Sequence, residues 1–330
     1  MRKIKVGAIQ PKALDTAPGC GFFDSGYDGT VANLMENYIK PQLETTFGLL
    51  EQAGEAGLDI VTTSEDICLA GSYLIDANPD SVFPKLVNAS TGYLEERISG
   101  IALKYNMYII ACYFKSYEDG IYNIASIFGR DGKMEGTYKK THLPPNEKWH
   151  AKEGDSLDVF DLDFGRIGIL ICYDMMFPDA SSVLGMKGAE IVFHPTYGYG
   201  WYNEIGEATL KTRANDNSFY IVTAKDYRFN AAGKSGVIDY WGHTLAEAGF
   251  YANRLVWTEI DLDIPKTQPD WYYPTHMSGT ADVHKRSRME RRPDLYALLS
   301  DETLHPHLEA PDFDTKQKIM EEVKTGRCRW

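Results

Sequence analysis

Three places have residue types and settings that could break a covalent bond: Glu65, the adjacent pair Lys139 and Lys140, and Cys172, each at the end of a strand-like run. Glu65 closes the run Val61 to Asp66, and a carboxylate at the carboxyl end of a core strand faces the region where open α/β sheets place ligands. Partial desolvation there makes a carboxylate a usable general base. Lys140 lies in Tyr138 to Glu147, where Lys139, Lys140, His142 and Glu147 fall within ten residues around a Pro144-Pro145 stop. An ammonium held over a reacting carbonyl stabilises the charge that develops on oxygen. Cys172 ends the apolar run from Arg166, and Asp174 and Pro178 then supply turn and helix-start signals. A thiol on a strand-to-helix turn projects at the sheet edge, and the free N–H groups that follow favour thiolate and bind an anion.

Each residue also fits a plainer role. Glu65 reads as a capping carboxylate, the lysines as a solvated basic turn, and Cys172 as a buried small apolar side chain. Of the five cysteines, Cys68 and Cys112 sit in strand-like or apolar surroundings and Cys20 and Cys328 in loop or tail, so Cys172 is the strongest nucleophile candidate. The number is odd and no CxxC pair occurs, which indicates neither a disulfide framework nor a zinc ribbon.

The elements that must position these residues alternate along the chain. Strand candidates are Ile4–Gln10, Asp59–Thr63, Met107–Phe114, Tyr122–Phe128, Arg166–Cys172, Glu190–His194, Phe219–Ala224, Gly236–Tyr240 and Leu255–Ile260. Helix candidates are Ala32–Ala56, Val82–Tyr105, Pro178–Lys187, Tyr202–Asn217, Met289–Ser300 and Asp314–Lys324. This alternation predicts an α/β fold with helices covering sheet faces. Without a repeat or a Pro/Gly/Ser-rich linker, residues 1–330 are expected to form one domain, with 263–330 as an extended tail. The irregular stretches Pro11–Thr30 and Pro265–Lys285 are expected to rim a pocket or cross to a partner.

Composition bounds the function. The 34 Lys and Arg against 47 Asp and Glu give a net charge of −13 without a basic block. Nucleic acid and anionic membranes both need concentrated positive charge, so neither is an expected partner. No apolar run approaches the roughly eighteen residues of a membrane helix, and no signal-peptide h-region follows Met1, so the expected location is cytoplasmic.

Taken together and in this order, the three segments resemble the nitrilase superfamily of carbon–nitrogen hydrolases, marked by a Glu–Lys–Cys triad. The resemblance places the triad on Glu65, on Lys140 of Lys140-Thr141-His142-Leu143, and on Cys172 of Cys172-Tyr173-Asp174. Further similar segments are Val6–Gln10, Tyr122-Asn123 leading to Gly132 and Gly136, Arg213-Ala214 with Asn217 and Tyr220, Ser235–Gly242, Leu245–Ala248 and Arg292–Tyr296. The resemblance implies a four-layer α-β-β-α sandwich that pairs into a homodimer or higher homo-oligomer, and a reaction that needs no metal or other cofactor. It implies Glu65 as general base, Cys172 as nucleophile, Lys140 and the N–H of Tyr173 as oxyanion donors, and Glu147 as the residue that keeps Lys140 charged. Lys139 is expected to be structural. His142 and His194 taken alone would suggest a Cys–His pair, but the resemblance makes His142 a structural hydrogen-bonding residue.

Cys-Tyr-Asp followed by Phe177-Pro178-Asp179 looks more like the amidase and carbamoylase branches than the nitrile-cleaving one. The expected reaction is therefore hydrolysis of a small-molecule amide to acid and ammonia. An N-carbamoyl substrate is the alternative, followed by a nitrilase or a non-catalytic ligand-binding relative. Tyr197, Tyr199 and Trp201 follow a strand end and are expected to line the pocket, with packing at a subunit interface as the other reading.

Overall fold

Side chains alternate across a strand with a period of two, so the architecture follows from where each strand's two faces are buried. The computed structural model describes residues 1–14, 29–70, 82–145, 147–197, 204–227, 234–264, 291–301, 318 and 322. Its elements in chain order are β1 (Lys3–Gln10), then α1 (Val31–Leu34), which continues through a π turn (Met35–Ile39) into α2 (Lys40–Glu55). Next come β2 (Ile60–Thr62), α3 (Val82–Tyr105), β3 (Tyr108–Tyr117), β4 (Gly120–Phe128), β5 (Met134–Lys139), β6 (Val159–Leu162) and β7 (Gly165–Ile169). The chain continues with α4 (Pro178–Met186), β8 (Ile191–Thr196), α5 (Glu204–Asn217), β9 (Tyr220–Lys225), β10 (Gly236–Ile238), β11 (Thr244–Glu247) and β12 (Arg254–Asp261).

The strands form two sheets, ordered β12-β1-β2-β3-β4-β5 and β11-β10-β9-β8-β7-β6. Within the first, β1, β2 and β3 run parallel, and within the second so do β7, β8 and β9. Ile4, Val6 and Ala8 of β1 meet Ile191 and Phe193 of β8 and Tyr220, Val222 and Ala224 of β9 in one core between the sheets. The opposite face of the first sheet, with Ile9, Val61, Ile109 and Ala111, packs on Leu43, Phe47 and Leu50 of α2 and Leu86, Leu94 and Ile98 of α3. Val192 and Ile221 of the second sheet pack on Leu184 of α4 and on Leu210 and Ala214 of α5. The buried residues of α2 and α3 recur every three to four positions, as an apolar stripe on a surface helix requires. The four layers are the predicted α-β-β-α sandwich.

Among the strands, β6 has no counterpart in the sequence expectation; β5 answers to the strand-like run that ends at Lys140, and β11 to the segment Leu245–Ala248 of the family resemblance. The expected strand ending at Cys172 stops at Ile169, and Cys172 opens a 3₁₀ turn (Cys172–Met176) instead. The expected helix Met289–Ser300 is replaced over the described 291–301 by two 3₁₀ turns, Pro293–Leu295 and Ala297–Ser300. Residues 291–300 are exposed, so nothing is buried that would support an isolated helix. The Asp314–Lys324 candidate lies outside the described residues apart from 318 and 322, both helical, and most of Pro11–Thr30 and all of Pro265–Lys285 lie outside them. No helix among the described residues is long and apolar enough to cross a membrane.

Candidate active site

Strand ends from both sheets converge on one place. Glu65 follows β2, where Thr63 N–H and Ile67 N–H still bond the carbonyls of Ile110 and Cys112 beside β3. Lys140 follows β5 and is fixed on both sides of its peptide: its N–H donates to the Asn123 carbonyl (2.9 Å) and its carbonyl accepts from Gly154 N–H (2.8 Å). A Cβ on Gly154 would stand 2.3 Å from the Lys139 carbonyl oxygen, so this approach requires glycine. The Pro144-Pro145 stop is followed by a single 3₁₀ turn, Glu147–Trp149, whose first N–H donates to Pro144 O (2.9 Å) and which presents Glu147. Cys172 adopts φ +45° and Asp66 φ +49°, conformations disfavoured for residues with a Cβ that cluster at functional sites.

The side chains make a closed ring. Lys140 Nζ, 1 % exposed, donates to Glu65 Oε1 (2.8 Å) and Glu147 Oε2 (2.5 Å). Asn123 Nδ2 donates to Glu65 Oε1 (2.8 Å) and Glu147 Oε1 (2.7 Å), closing the circuit on the far side. The main-chain N–H of Tyr197, one residue past β8, donates to Glu65 Oε2 (2.7 Å) across the sandwich. The structure thus brings Glu65, Lys140 and Glu147 together, and Cys172 lies near enough for its charge to act on Lys140.

Electrostatics follow from burial and neighbours. Desolvation pushes Lys140 down, but Glu147, Glu65 and Cys172 outweigh it and hold the ammonium well above its ordinary value. Glu147 is raised because burial exceeds the lowering by Lys140, with Glu65 adding to the rise. Beyond the ring, burial lowers Lys225, opposed by Asp226 and Cys172, and lifts Asp226 well above the carboxylate range; Lys225 compensates in part, while Asp66 and Glu65 add to the rise.

Asp174 anchors the turn that carries Cys172. Its Oδ2 accepts from Ile171 N–H (2.9 Å) and the Tyr138 hydroxyl (2.8 Å), and its Oδ1 from Thr141 Oγ1, His142 N–H and His142 Nδ1 (2.9 Å each). Burial would raise its pKa, but the His142 hydrogen bond, the Lys140 charge and the Ile171 N–H bring it below the ordinary value. His142 also stacks on Phe177 at 4.1 Å, which agrees with a structural role. His194, fully buried, contacts the Thr223 hydroxyl (3.0 Å) and donates from Nε2 to the carbonyl of Cys172 (3.3 Å). Both its nitrogens are therefore engaged, and its bond to the nucleophile candidate goes to the main chain. Lys139 points over Tyr117 and Tyr122, 4.5 and 3.9 Å from the ring centroids.

Tyr173 lies in the first turn after Cys172, where its N–H has no intrahelical carbonyl to bond, and its ring packs edge-on against Phe177. Tyr197 reaches the site through its backbone, whereas Tyr199, Trp201, Cys20 and Cys328 lie outside the described residues. Asn123 is the site residue that sequence reasoning missed. Its signal was the Tyr122-Asn123 pair on a strand beside Lys140, which carried no chemical assignment. Cys68 and Cys112 are buried, and desolvation pushes the Cys68 thiol up to about 12 and Cys112 well above its ordinary value. Among the described residues no cluster of three His, Cys, Asp or Glu could hold a metal ion.

The family profile described as carbon-nitrogen hydrolase matches residues 35–265. Omega-amidase NIT2 of Bos taurus is 29% identical over 250 residues, covering 69% of this chain and 86% of its own. The human omega-amidase NIT2 is 28% identical over 233 residues, covering 64% and 80%. The crystal structure of a carbon-nitrogen hydrolase from Helicobacter pylori superposes with a TM-score of 0.69 at 21% identity, covering 91% of this chain and 99% of that one. An amidase from Nesterenkonia sp. superposes with a TM-score of 0.65 at 18% identity, covering 90% and 96%.

Proposed function

Because the chain belongs to the carbon–nitrogen hydrolase family, we propose that it hydrolyses a small linear amide to a carboxylic acid and ammonia through a thioester on Cys172. The observation that carries this reading is the buried Lys140 ammonium, held at 2.8 and 2.5 Å by Glu65 and Glu147 and close to the only partly exposed cysteine among those described. The amidases among the relatives favour an amide over a nitrile. A variant of the amidase from Nesterenkonia sp. AN1 has the acetamide moiety of fluoroacetamide added covalently at its active-site cysteine, which supports a cysteine adduct here.

Glu65 acts as general base. Its Oε1 already accepts two hydrogen bonds and Oε2 one, so Oε2 has capacity left for the thiol proton. As that proton leaves, sulfur forms a bond to the amide carbon and the carbonyl electrons move to oxygen. Lys140 has committed two of its three N–H groups to carboxylates and directs the third to this oxyanion, joined by the N–H of Tyr173. Glu65 then passes its proton to the departing nitrogen, the C–N bond breaks, and ammonia leaves. Water attacks the thioester carbon as Glu65 takes its proton. The C–S bond breaks, the acid departs, and the thiol recovers its proton. Lys140 stays charged throughout, held so by Glu147.

Incubation with a panel of small amides, nitriles and N-carbamoyl amino acids, scoring ammonia and carbon dioxide, tests the proposal. Ammonia without carbon dioxide from amides supports it. Turnover confined to carbamoyl substrates with carbon dioxide release, or to nitriles, overturns it.

A further inference from the structure

We propose that Asn123 is a positioning residue for this reaction, its amide spanning Glu65 and Glu147 so that Lys140 keeps one N–H for the substrate oxygen. The inference rests on the Cys172 reading above. Asn123 is 1 % exposed, and both hydrogens of its Nδ2 go to carboxylates, at 2.8 Å to Glu65 Oε1 and 2.7 Å to Glu147 Oε1. The orientation of the amide follows from chemistry, because a carboxylate oxygen only accepts and the nitrogen must face it. The buried Cys112 thiol donates to Oδ1 on the opposite side (3.5 Å), and the Asn123 main-chain carbonyl holds Lys140 N–H (2.9 Å). Asn123 therefore grips the lysine's backbone and both of the carboxylates that grip its ammonium.

The consequence is a division of donors. Two buried carboxylates side by side repel, and the ring offsets this with four N–H bonds, two from Lys140 and two from Asn123. If Asn123 lost its amide, Glu65 Oε1 and Glu147 Oε1 would each lose a donor. The rotatable ammonium of Lys140 is the group able to turn toward them, and its third N–H would leave the oxyanion. The damage would fall on the transition state, where the oxyanion exists, rather than on substrate binding.

The titratable groups facing Asn123 are Glu65 after β2, Cys112 on β3, Lys140 after β5 and Glu147 beyond it. Steady-state kinetics against pH, on an amide accepted by the wild type, test the inference with Asn123→Ala and Asn123→Asp. Expected for Asn123→Ala is a kcat lower by about 10- to 100-fold with KM within about threefold, and a larger loss for Asn123→Asp. The acidic limb of kcat/KM should move to higher pH, because N–H donors favour the carboxylate form and their removal raises its pKa. A folded Asn123→Ala with an unmoved acidic limb, or with its loss confined to KM, overturns the inference. Should Asn123→Ala not fold, the Cys112 variants decide: Cys112→Ala should lose more kcat than Cys112→Ser, which keeps a donor to Oδ1, and equal losses overturn it. Turnover that survives Cys172→Ala would remove the Cys172 reading itself, a result distinct from any of these.

Discussion

The carboxylate of Asp174 accepts the main-chain N–H of His142 at 2.9 Å, and so ties the turn opened by Cys172 to the segment that begins at Lys140. Asp174 lies two residues past the cysteine in the second sheet's layer, and His142 two residues past the lysine at the edge of the first. One buried carboxylate with five donors sets the distance between the proposed nucleophile and oxyanion donor.

Asp174→Asn should therefore damage stability and activity together. The amide offers one acceptor oxygen where the carboxylate offers two, and turns an NH₂ group toward donors. Urea unfolding should show a loss of about 3 kcal/mol, typical of a broken buried network, and kcat should fall by about 10-fold or more. Wild-type values for both would show that the two segments are positioned independently.

The two adjacent lysines should separate cleanly. Lys140→Ala removes an oxyanion donor, which contributes about 100- to 1,000-fold in kcat, and strands two buried carboxylates. Lys139→Ala removes contacts with Tyr117 and Tyr122, each of about 0.5–1 kcal/mol at an exposed site, and should leave kcat within about threefold. Equal kcat losses in the two variants would mean that the wrong lysine has been assigned.

Stability should fall on the acid side through His194. Burial lowers its pKa from 6.5 to about 4, so the unfolded chain binds a proton in that window that the folded protein does not. Stability is then level above about pH 6.5 and declines as pH falls toward 4, by about 3 kcal/mol for this group at the 1.36 kcal/mol per pH unit that linkage gives. His194→Asn, which keeps a donor for the Cys172 carbonyl, should flatten the profile between pH 6.5 and 4. A variant with the same slope as the wild type would remove His194 as its source.

Among Cys68, Cys112 and Cys172, iodoacetamide at neutral pH should modify Cys172 first. The other two are buried with thiols held protonated by desolvation. Peptide mass spectrometry against time reads the order, and early labelling of Cys68 or Cys112 would contradict it.

Much of this arrangement was legible in the sequence because chemistry and burial left marks there. α3 runs over Val82–Tyr105 as its spacing predicts, and β1, β3, β8 and β9 lie where apolar runs place them. The strands missing from the apolar-run candidates, β5, β6 and β11, are all at sheet edges, where a half-covered strand such as Met134–Lys139 carries few apolar residues. Glu65 and Cys172 could be marked from type and setting, while the choice of Lys140 over Lys139 and the role of Glu147 come from the family resemblance. Asn123 could not, because its place follows from how many donors two buried carboxylates need, a quantity that appears only once the strands are folded side by side. Tyr197 enters through a main-chain N–H, which no side-chain reading can register.

The most direct measurement is intact-mass analysis of the wild type quenched during turnover of a slow amide, followed by peptide mapping. The expected result is an added mass equal to the substrate minus ammonia, located on Cys172 and absent from Cys172→Ala. An adduct on another residue, or turnover that persists in Cys172→Ala, would contradict it.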